Sequence, residues 1–281
     1  MVQRLSLEHR IAAEIHQYDG KMSIYANDLC GNEIIIGGKE KFETASTIKT
    51  FILYTLFEKV KAGKVDLNDT LPFLEKHDVE GSGVLRSVPY GGKYRIIDLA
   101  TWMIIVSDNV ATNILIDFLG VEEINRSSME RGFTNTILHN PIDFDKYEKL
   151  GTTTVEDYGK FFTLLAKKEC IDPVHDQMML DIFEQQHYNS GIVGEFPVYY
   201  LDSEDTGEDE LFKIYSKSGS MDACRNDGGI IETPYGKYII VLFTKEFSDP
   251  LYYDKHPSLL FQSKVSRLLF DQYLALQGRF Q

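Results

Sequence analysis

The chain has 281 residues, of which 43% are apolar, 12% aromatic and 26% charged, the proportions of a globular protein with a substantial core. Lys plus Arg number 29 against 43 Asp plus Glu, a formal net charge of −14. Such a field repels phosphate backbones and anionic lipid, so neither a nucleic-acid nor a membrane partner is expected.

Cys30, Cys170 and Cys224 are odd in number and far apart, with no zinc-type spacing, so they read as reduced thiols. The segment from Met1 to Glu8 lacks the apolar stretch of a signal peptide, and no apolar run approaches the roughly 20 residues of a membrane span. If Met1 is the native start, a cytoplasmic protein is expected.

Leu7, Ile11, Ala12, Ile15 and Tyr18 recur at helical spacing up to Gly20, which predicts an opening amphipathic helix. Residues 22–28 and 33–36 are β-rich runs separated by Cys30-Gly31-Asn32, a hairpin signal. A helix starting near Ser46 is apolar on nearly all sides from Phe51 to Phe57 and should be central and buried. Residues 64–94, broken by Asp, Pro and Gly, predict little regular structure. Helices are expected at 96–106, 110–119, 121–131, 153–168 and 172–186, with loops at 133–151 and 187–210. The acidic run from Asp202 to Glu210 reads as a solvated surface loop. Strands return at 211–216, 228–232 and 238–244, and Leu259, Leu260, Val265, Leu268, Leu269 and Tyr273 mark a closing helix.

The pattern implies an α+β fold with an antiparallel sheet of about five strands flanked by the terminal helices. An α/β lobe of residues 1–43 plus 211–281 would carry an inserted, all-helical lobe of residues 44–210. The seam between the two is the natural place for a cleft.

Three short motifs bear on that seam. Ser46-Thr47-Ile48-Lys49 puts a serine and a lysine one helical turn apart, on one face. Alone it is weak, since such a pair is expected about once by chance in a chain this long. Ser107-Asp108-Asn109 follows at a helix end, and Lys217-Ser218-Gly219-Ser220 ends a strand. Each pattern occurs once, and the ordered triple is a signature of class A β-lactamases and penicillin-binding proteins, whose usual third member is Lys-Thr-Gly.

The chain therefore resembles a class A β-lactamase-type serine hydrolase, of the β-lactamase/transpeptidase-like superfamily. The likeness runs from the first helix to the last and includes Ala111-Thr112-Asn113 and Gly151-Thr152-Thr153-Thr154. It implies a Ser46 nucleophile with Lys49 as its base, which must be neutral to serve. Lys217 would supply the charge that lowers the lysine pKa, and Ser107 would pass a proton to the leaving group. The backbone N–H groups of Ser46 and Ser220 would hold the oxyanion. Asn109 would meet an acylamino carbonyl, while Lys217, Ser218, Gly219 and Ser220 would lie near a substrate carboxylate. Arg225, a few residues beyond, is a candidate bidentate partner for that carboxylate.

The pattern also departs from the family. The loop that should carry a deacylating Glu-x-x-x-Asn is short, and Asn140 to Glu148 contains no such motif. Gly151 stands where a bracing aspartate is expected. Asp143, Asp145 and Glu148 read as solvated loop charges. Acylation of Ser46 by a β-lactam is expected, with slow release. The alternatives are a cytoplasmic esterase or D-amino-acid-type peptidase, and a non-catalytic protein that keeps the pocket for binding. No Gly-x-Ser-x-Gly or His-Glu-x-x-His is present, Gly81-Ser82-Gly83 reads as a flexible turn at the cleft rim, and no cofactor or metal is implied.

Overall fold

A computed structural model describes residues 6–197 and 211–281; the acidic run at 202–210 lies outside the described residues. The chain opens with α1 (Leu7–Ile15), β1 (Lys21–Asn27), β2 (Glu33–Ile36) and β3 (Phe42–Glu43). A short 3-10 turn, Ala45–Ile48, leads directly into α2 (Lys49–Lys61). There follow β4 (Thr70–Pro72), β5 (Lys93–Arg95), α3 (Ile96–Ile105), α4 (Asn109–Leu119), α5 (Val121–Arg131), β6 (Ile137–Leu138) and β7 (Gly151–Thr153). Two more helices, α6 (Val155–Ala166) and α7 (Pro173–Glu184), precede β8 (Lys213–Ser216), β9 (Gly219–Met221), β10 (Cys224–Thr233), β11 (Gly236–Lys245) and α8 (Pro257–Ala275).

The principal sheet has six antiparallel strands in the order β2-β1-β11-β10-β8, with β9 also paired to β10. Its central strand β11 is apolar along its length because both faces are covered. Ile239, Val241 and Phe243 pack on the helical side, while Tyr238, Ile240 and Leu242 pack on the other side with Val265, Leu269 and Tyr273 of α8. Burying each such side chain contributes roughly 1.5–3 kcal/mol. Helix α2 is buried continuously from Lys49 to Phe57.

Several helices, though not α2, α3 or α5, start where a side chain satisfies a free N–H group. Ser6, Asp108, Thr154 and Asp172 accept backbone N–H groups at the heads of α1, α4, α6 and α7. Helix α8 begins with Pro257 behind the His256 cap.

The sheet has one strand more than expected. β10 extends back to Cys224, because Arg225, Asn226 and Asp227 are buried and paired despite their polarity, and β9 aligns on that extension. The opening helix stops at Ile15, and Tyr18 is instead buried beyond it with its hydroxyl 2.6 Å from Ser258 Oγ. Part of the expected loop 133–151 forms a small sheet, β3-β7-β6, in which Glu43 is opposite Thr152. Residues 64–94 likewise contain the β4-β5 pair. Among the described residues no helix is long and apolar enough to cross a membrane.

Candidate active site

The turn that carries Ser46 is backbone-strained before it reaches the serine. Ala45 has φ +45°, a left-handed conformation that costs a non-glycine residue free energy and persists only where the surroundings impose it. Thr47 closes the turn, its N–H (3.1 Å) and hydroxyl (2.6 Å) both donating to the Thr44 carbonyl. Ser46 then emerges, partly exposed, at the base of α2.

Lys49 is fully buried and makes its hydrogen bonds to neutral groups. Its Nζ lies 2.6 Å from the Ser107 carbonyl, 3.0 Å from Ser107 Oγ and 2.7 Å from Asn109 Oδ1. Burial pushes this ammonium well below the ordinary lysine range, the charge of Lys217 pushes it further down, and Asp108 opposes both. That direction favours the neutral amine, the form that can accept a proton.

Ser107 is a second left-handed non-glycine residue, with φ +53°, in the corner between α3 and α4. Asp108 fixes that corner. It caps α4 through Ala111 N (2.8 Å), and its other oxygen accepts from Val84 N (2.6 Å) and Leu85 N (2.8 Å). A Cβ on Gly83 would sit 2.4 Å from the Asp108 carboxyl, so only glycine lets the two chains approach. Ser82 accepts from Asn109 N (3.0 Å) through its carbonyl. The Gly81–Gly83 turn thus lies at the cleft, as expected, hydrogen-bonded to the head of α4. Asn109 Nδ2 donates to the Glu80 carbonyl (2.9 Å), which leaves its second amide hydrogen to the cavity the residue lines.

The third segment arrives from the sheet. Lys217 is fully buried, with Nζ 2.7 Å from the Ser218 carbonyl. Burial lowers its pKa to about 7, against the opposing charge of Asp227. Asp227, itself buried, accepts from Ile192 N and Gly228 N at 2.9 Å each, and burial raises its carboxyl. β9 then crosses directly over the nucleophile turn. A Cβ on Gly219 would lie 2.7 Å from both Ser46 N and Thr47 N, so the glycine is what permits the contact.

Ser46, Ser107, Ser218, Gly219 and Ser220 line one cavity of about 230 Å³. Ser46 and Ser220 also border an adjoining, wider space of about 920 Å³, with Asn109 on its wall. Lys49 and Lys217 lie buried behind these walls.

Arg225 belongs elsewhere. Its guanidinium is buried and donates to the carbonyls of Met221, Cys224 (2.9 Å), Pro250 (3.0 Å) and Leu251 (2.9 Å). With its donors spent on backbone, it braces the segment around residue 250, and the expectation of a carboxylate contact is corrected.

Three further residues to which the sequence reading gave no role hold the site together. Tyr158 on α6 donates to the Lys217 carbonyl (2.7 Å) and shares a hydrogen bond with Thr50 on α2 (3.1 Å), so one buried hydroxyl ties the lysine strand to the nucleophile helix. Its spacing with Val155, Phe161 and Phe162 marks it only as core. Glu43, three residues before Ser46, accepts from Leu150 N (2.9 Å), Gly151 N (3.2 Å) and Ala45 N (3.4 Å) through Oε1, while Oε2 has no partner. It joins the loop end to the nucleophile turn, where a bracing aspartate is lacking. Burial raises its pKa, against those N–H groups. Asn113 pins the same loop, bonding Ile142 N (2.8 Å) and Ile142 O (2.9 Å). Among the described residues no cluster of His, Cys, Asp and Glu is placed to hold a metal ion.

The fold and this serine-lysine cleft define a β-lactamase-like serine hydrolase. Residues 6–273 match the model of the beta-lactamase enzyme family, and the chain belongs to that family. It is 29% identical over 133 residues to beta-lactamase SME-1 of Serratia marcescens, a match spanning 47% of this chain and 43% of that enzyme's length. The beta-lactamase of Sphaerobacter thermophilus superposes with a TM-score of 0.83 at 25% identity, covering 96% of this chain and 97% of the other. PBP-A superposes with a TM-score of 0.82 at 25% identity, covering 96% of each chain. A PBP-A mutant, solved as its acyl-enzyme complex with penicillin G, superposes with a TM-score of 0.82 at 26% identity, again over 96% of each chain.

Proposed function

We propose that Ser46 Oγ attacks the carbonyl of a β-lactam, ester or small amide and forms an acyl-enzyme. The observation that carries this reading is Lys49: a fully buried lysine bonded to neutral groups at the base of the serine's own turn. Neutral Lys49 takes the Ser46 proton as the Oγ–carbon bond forms. Ser107, 3.0 Å from Lys49 Nζ, passes a proton to the departing nitrogen or oxygen as its bond to the carbonyl carbon breaks. The oxyanion is held by the N–H groups of Ser46 and Ser220, each such donor being worth about 10²–10³ in rate. A substrate carboxylate, where present, meets Ser218 and Ser220, with the buried Lys217 behind them.

Release is the slow step in this reading. The loop carries no Glu-x-x-x-Asn, and its cleft-lining carboxylate, Glu148, is exposed. The acyl-enzyme solved for a PBP-A mutant is in keeping with a long-lived adduct in a similar fold. A cytoplasmic esterase or D-amino-acid-type peptidase, with Lys49 working in both half-reactions, is the alternative.

Intact-protein mass spectrometry after mixing with benzylpenicillin tests attack, and turnover of a chromogenic cephalosporin and a p-nitrophenyl ester tests release. A covalent adduct that Ser46→Ala abolishes is expected. Ester turnover without cephalosporin turnover favours the esterase. Absence of both adduct and turnover, or activity that survives Ser46→Ala, overturns the proposal.

A further inference from the structure

The brace formed by Arg225 has an outcome in the cleft. The Tyr252 ring lies over the buried guanidinium, 4.4 Å from its central carbon to the ring centroid. Its hydroxyl donates to Asp222 Oδ1 at 3.0 Å. A cation against one face and an anion at the tip fix this ring in place. The side chain is nonetheless 60% exposed, and it lines both the small cavity and the wide one, each of which includes Ser46.

The wide cavity has a second aromatic wall. Phe144 and Tyr147, both exposed, come from the loop that Asn113 pins to α4. A Cβ on Gly81 would lie 3.7 Å from the Phe144 ring, which places that ring beside the Gly81–Gly83 wall. Three exposed aromatic rings around one nucleophile form an apolar patch with a preferred guest, because aromatic pairs add offset or edge contacts to simple burial. Arg225, the cation under the Tyr252 ring, is spent on carbonyls, and Lys149 is the cation on the wall of the wide cavity.

We infer that the cleft selects substrates whose acyl portion carries a flat aromatic group, seated on Tyr252 and enclosed by Phe144 and Tyr147. The inference rests on the acyl-enzyme reading above and names the substrate class of that same site. Tyr252 is preorganised for this role, so little side-chain freedom is lost on binding.

The test is the burst rate and kcat/KM for p-nitrophenyl phenylacetate against p-nitrophenyl acetate and cyclohexylacetate, with the leaving group held constant. The wild-type protein is expected to favour phenylacetyl over acetyl by about tenfold or more, and over cyclohexylacetyl by a smaller factor. Tyr252→Ala should bring the phenylacetyl-to-acetyl ratio close to one, while Tyr252→Phe keeps it. Phe144→Ala, which does not disturb the Arg225 contact, should lower the ratio in the same direction. A wild-type ratio near one, or an equal change for both esters in Tyr252→Ala and Phe144→Ala, overturns the inference and leaves the hydrolase reading standing. No burst and no turnover with any ester or with benzylpenicillin defeats the underlying reading, and the inference falls with it.

Discussion

Gly219→Ala adds a single methyl group at the most crowded point of the site. Its nearest neighbours would be Ser46 N and Thr47 N at 2.7 Å and Thr44 O at 2.9 Å, all backbone atoms that no rotamer change can move. Ordinary van der Waals contact begins at 3.4 Å, so β9 and the nucleophile turn must separate by about 0.7 Å. Overpacking of this kind costs about 1–3 kcal/mol of stability. In a chain of this size that is roughly 3–10 °C in Tm. The catalytic effect should be larger, because Ser46 and Ser220 lie on the two segments being forced apart. A displacement approaching 1 Å costs on the order of 10²-fold in rate, so acylation should slow by roughly 10–100-fold. The assay is the rate of mass gain with benzylpenicillin, followed beside thermal unfolding of the same sample. Wild-type acylation in a folded Gly219→Ala protein, with or without a lowered Tm, would refute the argument that this contact positions the site.

Two other substitutions probe the charges. If Lys49 is the base proposed above, the acylation rate should rise with pH through the lowered lysine pKa, and Lys217→Met removes a charge that lowers it. The rising limb should move to higher pH, most visibly on the acid side where Lys217 carries its charge; an unmoved limb would remove Lys217 from that role. Arg225→Lys cannot serve four carbonyls with one ammonium, so chemical denaturation should show a loss of about 1–3 kcal/mol. The ratio of KM values for substrates with and without a carboxylate should stay unchanged, and a selective rise for the carboxylate-bearing one would restore Arg225 to the substrate site.

Long elements were legible from sequence because their burial is continuous. The run from Lys49 to Phe57 has no polar face to hide, and the alternation in β11 divides between two cores. Two-residue strands such as β3 and β6 have no period to detect. The first half of β10 was missed because Arg225, Asn226 and Asp227 look like a turn, while the fold buries each with hydrogen-bond partners. The site divides in the same way. Ser46, Lys49, Ser107 and Lys217 could be picked out because they stand in three motifs whose order resembles a family signature. What draws their segments together is the Asp108 carboxyl and the absence of a side chain at Gly219, both inside those motifs, and the Tyr158 hydroxyl, which carries no local signal.

The pairing of β1 with β11, in register from Lys21 opposite Lys245 to Asn27 opposite Ile239, also constrains the order of events during synthesis. A ribosome adding about 5–20 residues per second completes β1 roughly 10–40 s before its central neighbour exists. In that interval β1 has only β2 beside it, and the apolar faces of Ile24 and Ala26 lack the helix α8 that later covers them. The helices between can associate first, since their contacts are closer in sequence. Sheet closure is therefore a late, whole-chain event, and until then the β1–β2 hairpin presents an unpaired strand edge.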